Sequence, residues 1–234
     1  MMTIYIISGV SKGLGYALAE NLLKSEDENT KVMGLSRNMP DFVIRFPKYF
    51  DWVKTDFKNP EEISINLELS LKKYRPTKIV YISNAGDINP INIIGEIACK
   101  EMIDSLSVNI ISPANCVNYL LNQYSNIEQL LIINISSGAA NKAIKGWSLY
   151  SSAKAYMKTY FDVLEAETKD TTYGRIIVKQ IDPGAMDTDM QENIRNANVS
   201  SEQLNRLKNL YENNHLKQPK DVAEMIIQNI REIL

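Results

Sequence analysis

The sequence predicts a single α/β domain with a doubly wound parallel sheet of about six strands and helices on both faces. Apolar runs of strand length alternate with longer segments of helical spacing, which is typical of parallel strands joined by helical crossovers. The runs are continuously apolar, as expected for strands that are buried on both faces. With 234 residues and 44% apolar content, the chain can bury one large core. The six runs are Ile4–Ile7, Lys31–Leu35, Phe50–Lys54, Ile79–Ile82, Leu130–Ile135 and Ile176–Ile181.

Composition and charge limit the classes of partner. The net charge of −2 provides no basic field for nucleic acid or for an anionic membrane surface. No run approaches the ~18 apolar residues that span a bilayer, so we expect neither a membrane nor a nucleic-acid partner. Cys99 and Cys116 fall in helix-like segments, which favours a reducing compartment and a cytoplasmic location. Because His215 is the only histidine, we expect no histidine triad and no metal site.

The first strand runs into a glycine-rich turn that opens a helical segment. Glycines at such a turn let backbone N–H groups approach a diphosphate, and the helix N-terminus adds a favourable dipole. The spacing Gly-x-x-x-Gly-x-Gly differs from the more familiar Gly-x-Gly-x-x-Gly, so a plain tight turn stays the alternative. The setting favours dinucleotide binding in a Rossmann-type domain, and the residues assigned to it are Gly9, Ser11, Lys12, Gly13, Leu14 and Gly15.

The ends of the second and third strands bear on the choice of coenzyme. NAD-specific folds place an acidic residue at the end of the second strand, where this chain has Arg37 instead. With help from Lys12, Arg37 could bind the 2′-phosphate of NADP(H) through charge-assisted hydrogen bonds, and two solvated cations are the alternative. Asp56 follows the third strand, where it could accept from the adenine amino group or cap the helix that begins near Pro60.

The fourth strand and the helical segment after it supply further candidates. The strand ends in three residues that would let a coenzyme lie against it, or that form a plain turn: Asn84, Ala85 and Gly86. Asn109 lies within a helix predicted over Glu101–Tyr124. Pro113, four residues further on, has no N–H to donate to the Asn109 carbonyl, which is left free. We expect that carbonyl to bind a water molecule near Lys154.

The fifth strand and the helix after it carry the strongest chemical signal. Tyr150 and Lys154 are four residues apart, so on a helix they share one face, and the ammonium is expected to lower the phenol pKa from its usual ~10. Tyr74 and Lys78 repeat this spacing, but Pro76 lies between them and opposes a helix, so that pair looks accidental. Ser137 follows the fifth strand, where its hydroxyl could meet the same substrate oxygen as Tyr150.

The chain after the sixth strand predicts a substrate loop. Pro183 and Gly184 end the strand, and the polar side chains that follow could face a ligand. Asp187 and Asp189 are weak signals by themselves, since acidic residues are common in loops. The polar composition of about residues 185–216 indicates an insertion or lid, called the lid segment below.

Taken together, these motifs resemble the short-chain dehydrogenase/reductase family over nearly the whole chain. The combination is specific, although each motif alone is not. The matching coenzyme positions are Gly9, Gly13, Gly15, Asn84, Ala85, Gly86, Pro183, Gly184 and Thr188. The matching catalytic positions are Asn109, Ser137, Tyr150 and Lys154. Ser83 departs from the family pattern, because many members carry a second Asn there.

Two segments are similar to the sepiapterin reductase and benzil reductase branch of that family, KGWSLY at 145–150 and GAMDTDMQ at 184–191. In pterin reductases the residue matching Asp187 holds the amino-bearing ring of the substrate, and a helix cap at Asp187 or Asp189 is the alternative. The chain stops after one more helix, whereas members usually continue into a final strand, so six strands rather than seven are expected. The substrate residues implied are Ser137, Trp147, Tyr150 and Asp187.

The resemblance implies an NADPH-dependent carbonyl reductase for a ketone, a diketone or a pterin-like carbonyl. Hydride would pass from the nicotinamide to the carbonyl carbon while Tyr150 donates a proton to the oxygen. Ser137 would orient that oxygen, and Lys154 would hold the nicotinamide ribose. Asn109 would anchor the water that resupplies the proton. General acid catalysis of this kind contributes about 10²–10⁴-fold.

The substrate class and the assembly stay open. One alternative function is a reductase of another class, such as a 3-oxoacyl thioester reductase, and turnover on both substrate types would separate the two. Another is a non-catalytic NADP-binding sensor of the same fold, which would have little reason to keep all four catalytic residues. The resemblance also implies a homodimer or homotetramer, in which helices at Glu101–Tyr124 and Ser148–Thr168 pair across a two-fold axis.

Overall fold

The computed structural model describes residues 1–169 and 175–234, and its sheet confirms the predicted fold class. The strands are β1 (Thr3–Ser8), β2 (Thr30–Ser36), β3 (Phe50–Lys54), β4 (Lys78–Ser83), β5 (Gln129–Ile135) and β6 (Arg175–Ile181). Within the described ranges these six strands form one sheet in the order β3-β2-β1-β4-β5-β6. All five neighbouring pairs are parallel, so each strand returns to the sheet through a crossover.

Helices form these crossovers and continue the chain beyond β6. They are α1 (Gly13–Leu23), α2 (Phe42–Arg45), α3 (Glu61–Leu71), α4 (Cys99–Leu106), α5 (Ser112–Tyr124), α6 (Ser148–Lys169), α7 (Asp189–Arg195), α8 (Glu202–Glu212) and α9 (Pro219–Ile233). A short 3₁₀ turn, Gly138–Asn141, lies between β5 and α6. Among the described helices, none has the length and apolar character needed to cross a membrane.

The sheet is buried on both faces because successive side chains of a strand point to opposite sides. Ile4 and Ile6 of β1 pack in the layer that contains α3, α5 and α6, whereas Tyr5 and Ile7 pack in the layer of α1 and α9. Each of these four side chains is at most 5% exposed. Burying an apolar side chain of this size stabilises a fold by about 1.5–3 kcal/mol. The continuous apolar runs of the sequence follow from this double burial.

The helix predicted over Glu101–Tyr124 contains a π-helical turn, Ser107–Ile111, between α4 and α5. The Ser112 N–H donates to Ser107 O, five residues back, instead of four. Pro113 contributes to this change, because its nitrogen has no hydrogen and cannot bond to the Asn109 carbonyl. Single π-helical turns inside helices are frequent at functional sites. Here the turn holds Asn109, one of the candidate catalytic residues.

The lid segment contains two helices, α7 and α8, which pack onto the chain between β5 and α6. Ile194 of α7 and Leu207 of α8 join a buried apolar cluster that includes Trp147 and Tyr150. Each of these four side chains is at most 7% exposed. The lid segment therefore shields one side of the Tyr150 ring from water.

Gly34 of β2 lies where the sheet leaves no room for a side chain. A Cβ there would lie 2.6 Å from Phe50 Cζ and 2.6 Å from Val10 Cγ2. Gly34→Ala must displace one or both side chains, so we expect the free energy of unfolding to fall by about 1–3 kcal/mol. Urea unfolding followed by circular dichroism measures the change. Gly138→Ala is the control, because its Cβ would first meet Asp182 Oδ2 at 3.5 Å, and equal losses in both variants would contradict this account.

Candidate active site

The glycine turn lies at the carboxyl ends of β1 and β4, where the strand order of the sheet reverses. In open α/β sheets, ligands bind in the crevice at such a switch point. A Cβ on Gly15 would lie 2.1 Å from Gly9 O and 2.6 Å from Asn84 Nδ2. Only glycine fits where α1 approaches the strand ends this closely. The packing supports the turn as the place for a coenzyme diphosphate, held by backbone N–H groups at the start of α1.

Ser8 ties the glycine turn to β4, and sequence reasoning did not single it out. Its Oγ accepts hydrogen bonds from the N–H groups of Asn84 and Ala85, both at 2.9 Å. Asn84 donates its side-chain amide to Ser8 O, also at 2.9 Å. The Asn84 side chain therefore supports the turn from within the protein. The feature of the sequence that could have identified Ser8 is a serine at the end of an otherwise apolar strand.

Two side chains of the glycine turn have partners elsewhere in the protein. Leu14 is 5% exposed and packs in the core, so its backbone is the part available to a ligand. Lys12 Nζ donates to Asp189 Oδ2 of α7 at 2.7 Å. Both side chains of this ion pair are more than 60% exposed. Ser11 is partly buried, and its hydroxyl bonds to no described residue.

Arg37 follows β2 and is exposed to solvent. Its guanidinium forms no hydrogen bond or ion pair with the described part of the chain, so it is available for an anion at this edge. Asp56 accepts a hydrogen bond from the Lys58 N–H at 3.0 Å. It therefore closes a turn after β3, and Pro60 rather than Asp56 precedes the first residue of α3.

Tyr150 and Lys154 lie one turn apart on α6, with Lys154 Nζ 5.7 Å from the centre of the Tyr150 ring. The ammonium donates a hydrogen bond to Ile135 O, at the end of β5, at 2.8 Å. Ser137 lies within hydrogen-bonding reach of the Tyr150 hydroxyl. Its own Oγ also accepts from the Ala139 N–H at 3.2 Å, which fixes the start of the 3₁₀ turn. Three of the four candidate catalytic residues thus meet at the end of β5.

Asn109 approaches the same place from the π-helical turn. Its Oδ1 accepts from the Asp87 N–H at 3.0 Å, and its Nδ2 donates to Asp87 O at 2.8 Å. A Cβ placed on Gly86 would lie 3.3 Å from Asn109 Oδ1 and 4.0 Å from Lys154 Nζ. Gly86 therefore lies between Asn109 and Lys154, and the lack of a side chain there lets the two helices converge.

The expected effect of Lys154 on the pKa of Tyr150 is wrong for this structure. Burial raises the pKa of the Tyr150 hydroxyl to about 12, and the hydrogen bond from Ser137 offsets only part of that effect. Burial also lowers the pKa of the Lys154 ammonium to about 8. Both changes have one cause, because removing water disfavours the charged form of each group.

Asp182 is a charged residue of the site that sequence reasoning did not assign. It follows Ile181, which pairs in the sheet with Ile135, whose carbonyl holds Lys154. Its Oδ1 accepts a hydrogen bond from the Gly184 N–H at 3.0 Å. Its negative charge raises the pKa of both Tyr150 and Lys154. Asp182 therefore partly compensates for the burial of the ammonium.

The loop after β6 returns toward the glycine turn. A Cβ on Gly13 would meet Thr188 Cγ2 at 3.5 Å, so the two candidate coenzyme segments are neighbours. Lys217 Nζ donates to Pro183 O at 3.2 Å and lies 3.2 Å from where a Cβ on Gly184 would be. These contacts place the loop beside the switch point.

Trp147 and Asp187, two of the candidate substrate residues, occupy different environments. Trp147 is 4% exposed, and its ring stands nearly perpendicular to that of Tyr150 with centres 5.9 Å apart. Asp187 is exposed, and its carboxylate accepts no hydrogen bond from a described residue. Thr188 occupies the N-cap position of α7, so the alternative of a cap at Asp187 or Asp189 does not describe this helix.

The second Tyr-x-x-x-Lys of the sequence forms no comparable arrangement. Tyr74 lies after the end of α3 and donates to Asp51 Oδ2 at 2.6 Å. Lys78 begins β4 and donates to Leu234 O at 2.7 Å. The two residues do not share a helical face, which agrees with the prediction that their spacing is accidental.

Comparison with known proteins identifies the class. The sequence pattern of the short chain dehydrogenase family matches residues 3–199. The chain therefore belongs to the short-chain dehydrogenase/reductase family of oxidoreductases. The position of the Tyr150, Lys154 and Ser137 cluster on the same edge of the sheet as the glycine turn is in keeping with that membership.

Particular relatives agree with the branch expected from the sequence. A benzil reductase ((S)-benzoin forming) of Bacillus subtilis (strain 168) is 30% identical over 231 residues, covering 97% of this chain and 92% of the relative. A sepiapterin reductase of Xenopus laevis is 27% identical over 201 residues, covering 80% and 74% of the two chains. Among solved structures, the KRED1-Pglu enzyme matches with a TM-score of 0.84 and 26% identity, covering 96% and 93% of the two chains.

The lowered pKa of Lys154 makes the stability of the protein depend on pH. The ammonium titrates near pH 8 when folded, against 10.5 for the free side chain. Between these values the unfolded chain binds more protons, so stability should rise with pH. Lys154→Met removes the group, and we expect it to exceed wild type in unfolding free energy at neutral pH by roughly 1–3 kcal/mol. That advantage should shrink as pH rises through this window.

Urea unfolding at several pH values between neutral and 10.5 measures this difference. Lys158→Met, one turn further along α6 and exposed, is the matched control. In an Asp182→Asn background, the advantage of Lys154→Met should begin to shrink at a lower pH, since the Asp182 carboxylate raises the pKa of Lys154. A difference between wild type and Lys154→Met that is constant with pH would contradict the burial of a charged ammonium.

Proposed function

We propose that this oxidoreductase is an NADPH-dependent carbonyl reductase in which Tyr150 is the general acid. The observation that carries the proposal is the meeting of Tyr150, Ser137 and Lys154 at the end of β5, on the same edge of the sheet as the glycine turn. A buried phenol with a hydroxyl neighbour is suited to donating a proton to a polarised carbonyl oxygen. When bound, the coenzyme would supply the hydride for the carbonyl carbon.

The pKa values of the site favour a proton donor. With a pKa of about 12, the Tyr150 hydroxyl keeps its proton at neutral pH. Its proton is lost only when negative charge develops on the substrate oxygen, which Ser137 is placed to stabilise by a hydrogen bond. Lys154, with a pKa of about 8, is predominantly charged at neutral pH and stabilises the phenolate that remains.

Lys154 and Asn109 would complete a route for resupplying that proton. The side-chain amide of Asn109 is occupied by the backbone of Asp87. Asn109 would therefore take part in proton transfer through its backbone carbonyl, to which the nitrogen of Pro113 cannot donate a hydrogen bond. We propose that this carbonyl positions a water molecule next to Lys154, which in turn contacts the nicotinamide ribose.

The residues present fit a dinucleotide carrying a 2′-phosphate. The glycine turn would bind the diphosphate through backbone N–H groups at the start of α1. Gly15 lets α1 begin this close to β1, because a Cβ there would lie 2.1 Å from Gly9 O. At the end of β2, Arg37 has no hydrogen bond or ion pair with the described residues and would bind the 2′-phosphate. Lys12 would contribute only after leaving Asp189. Arg37 is therefore the principal determinant of coenzyme choice in this proposal.

The substrate proposed is a compact ketone, a 1,2-diketone first and a pterin-like carbonyl second. The benzil reductase match covers nearly all of both chains, whereas the sepiapterin reductase match covers less. Trp147 packs against Tyr150 and would form an apolar wall for the substrate. Asp187 is exposed and accepts no hydrogen bond from a described residue, so it would bind a substrate that presents N–H donors. The lid segment would close over this site.

We further propose a homodimer or homotetramer and a cytoplasmic location. Both helical segments that are expected to pair between subunits carry exposed apolar side chains. These include Ile103 and Leu106 on α4 and Tyr156 and Val163 on α6. Exposed apolar patches of this kind mark protein–protein contacts. The two described cysteines are both free thiols, which suits a reducing compartment.

Tyr150→Phe should remove nearly all turnover, because only the transferable proton is lost. We expect kcat to fall by at least about 100-fold for a 1,2-diketone, while the Kd for NADPH changes by no more than a few-fold. Stopped-flow kinetics and coenzyme fluorescence measure the two quantities. Tyr156→Phe, on the exposed face of the same helix, is the control. A Tyr150→Phe enzyme with more than about a tenth of wild-type kcat would overturn the assignment of the acid.

Arg37→Asp should shrink or reverse a preference for NADPH over NADH. A charge-assisted bond to phosphate contributes roughly 1.5–3 kcal/mol, so kcat/KM for NADPH should fall by about one to two decades. Lys72→Asp makes the same change of charge at an exposed residue just after α3 and should leave the preference unchanged. Equal kcat/KM for the two coenzymes in the wild type would contradict the role of Arg37.

A further inference from the structure

A cavity of about 610 Å³ opens between the lid segment and the chain that follows β4. A short series of contacts links the wall of this cavity to Tyr150. Asn92, in its wall, donates its N–H to Gly146 O at 3.0 Å and pairs with Trp147. Trp147 in turn contacts the Tyr150 ring. The polar or charged side chains that line the cavity are Asn89, Asn92, Glu96, Lys145, Asn193, Asn196, Asn198 and Ser200.

The cavity shares residues with the apolar cluster beside Tyr150. Ile91 and Ala197 line the cavity and also pack in the cluster that contains Trp147 and Tyr150. A substrate whose carbonyl lies at Tyr150 would reach the cavity by passing over this cluster. The volume is within the range of about 300–1,000 Å³ that is usual for small-molecule sites.

The walls are rich in amide groups with unused hydrogen-bonding capacity. Asn193, Asn196 and Asn198 of the lid segment make no side-chain hydrogen bond to any described residue. On the opposite wall, Asn89 and Asn92 use their amides locally, on Asp87 Oδ1 and Glu96 O. The three asparagines of the lid segment therefore offer both donors and acceptors to a ligand.

The charge of the walls points to a neutral ligand. Lys145 and Glu96 contribute one charge of each sign, and neither forms an ion pair with the described chain. An aryl or alkyl group would displace water from the three asparagines without replacing its hydrogen bonds, which is unfavourable. Hydroxyl groups replace both the donors and the acceptors of that water. Among neutral groups, a chain of hydroxyls fits this surface best.

We propose that this cavity, the asparagine subsite, binds a neutral polyhydroxylated tail of the substrate while Tyr150 acts on its carbonyl. The substrate class is then a 1,2-dicarbonyl compound that carries a polyol chain. This inference rests on the proposed function, since it assumes carbonyl reduction at Tyr150. It goes beyond that function by assigning a role to Asn193, Asn196 and Asn198.

Steady-state kinetics with NADPH on a matched pair of dicarbonyls test the proposal. The pair is 2-oxohexanal and 4,5,6-trihydroxy-2-oxohexanal, which differ only in the tail. We expect the KM of the trihydroxy compound to be at least about fourfold lower, since two or more neutral hydrogen bonds contribute about two- to tenfold each. Benzil reduction is the reference reaction for the proposed function. An equal or higher KM for the trihydroxy compound, with benzil and 2-oxohexanal reduced, would overturn the subsite alone.

Variants of the lid segment locate the effect. Asn196→Leu should raise the KM for the trihydroxy compound about three- to tenfold, and Asn193→Leu combined with it should raise it further. Both should leave the KM for 2-oxohexanal within twofold of wild type. Asn205→Leu, exposed on α8 outside the cavity, is the control. Equal increases for both compounds would contradict the subsite, and failure to reduce benzil or either dicarbonyl would contradict the proposed function itself.

Discussion

The polar junction between the ends of β1 and β4 is the constraint on which the candidate site depends. At the switch point the two strands part, and the N–H groups of Asn84 and Ala85 need partners other than a neighbouring strand. The Ser8 hydroxyl, 1% exposed, accepts from both. An unpaired buried donor costs about 1–3 kcal/mol, so Ser8 stabilises the opening of the crevice. Gly15 can approach this junction because it has no side chain, and the position of the glycine turn is fixed as a result.

Burial beside that crevice governs the electrostatics of the candidate catalytic residues. The cluster formed by Trp147 and the lid segment excludes water from Tyr150, which keeps the phenol neutral and makes a charged Lys154 costly. Asp182 partly offsets the second effect. The lid segment is joined to the glycine turn by the Lys12–Asp189 ion pair, whose side chains are 68% and 61% exposed. Such a pair contributes about 0–1 kcal/mol, so it adds little to the contact between these two segments.

Local patterns in the sequence predicted the sheet and its approximate number of strands. They also predicted four candidate catalytic residues: Asn109, Ser137, Tyr150 and Lys154. Those patterns depend on apolar runs and on spacings of a few residues. Interactions between distant segments could not be predicted in this way: Lys12 and Asp189 are 177 positions apart. The pKa of Tyr150 was predicted in the wrong direction for the same reason, because its burial depends on the lid segment. Ser8 and Asp182 gain their importance only from neighbours that the fold brings to them.

The apolar cluster beside Tyr150 borders two environments of different chemistry. Toward Tyr150 it forms an apolar wall that includes Trp147 and Ile194, and elsewhere its residues border a cavity lined by asparagines. The wall continues a buried cluster of the fold, so its residues are constrained by stability as well as by any ligand. Asn193 of α7 and Asn196, which directly follows that helix, are exposed and are free of that constraint. In the proposed asparagine subsite, substrate preference can therefore change through these two residues, while the arrangement of Tyr150, Ser137 and Lys154 stays the same.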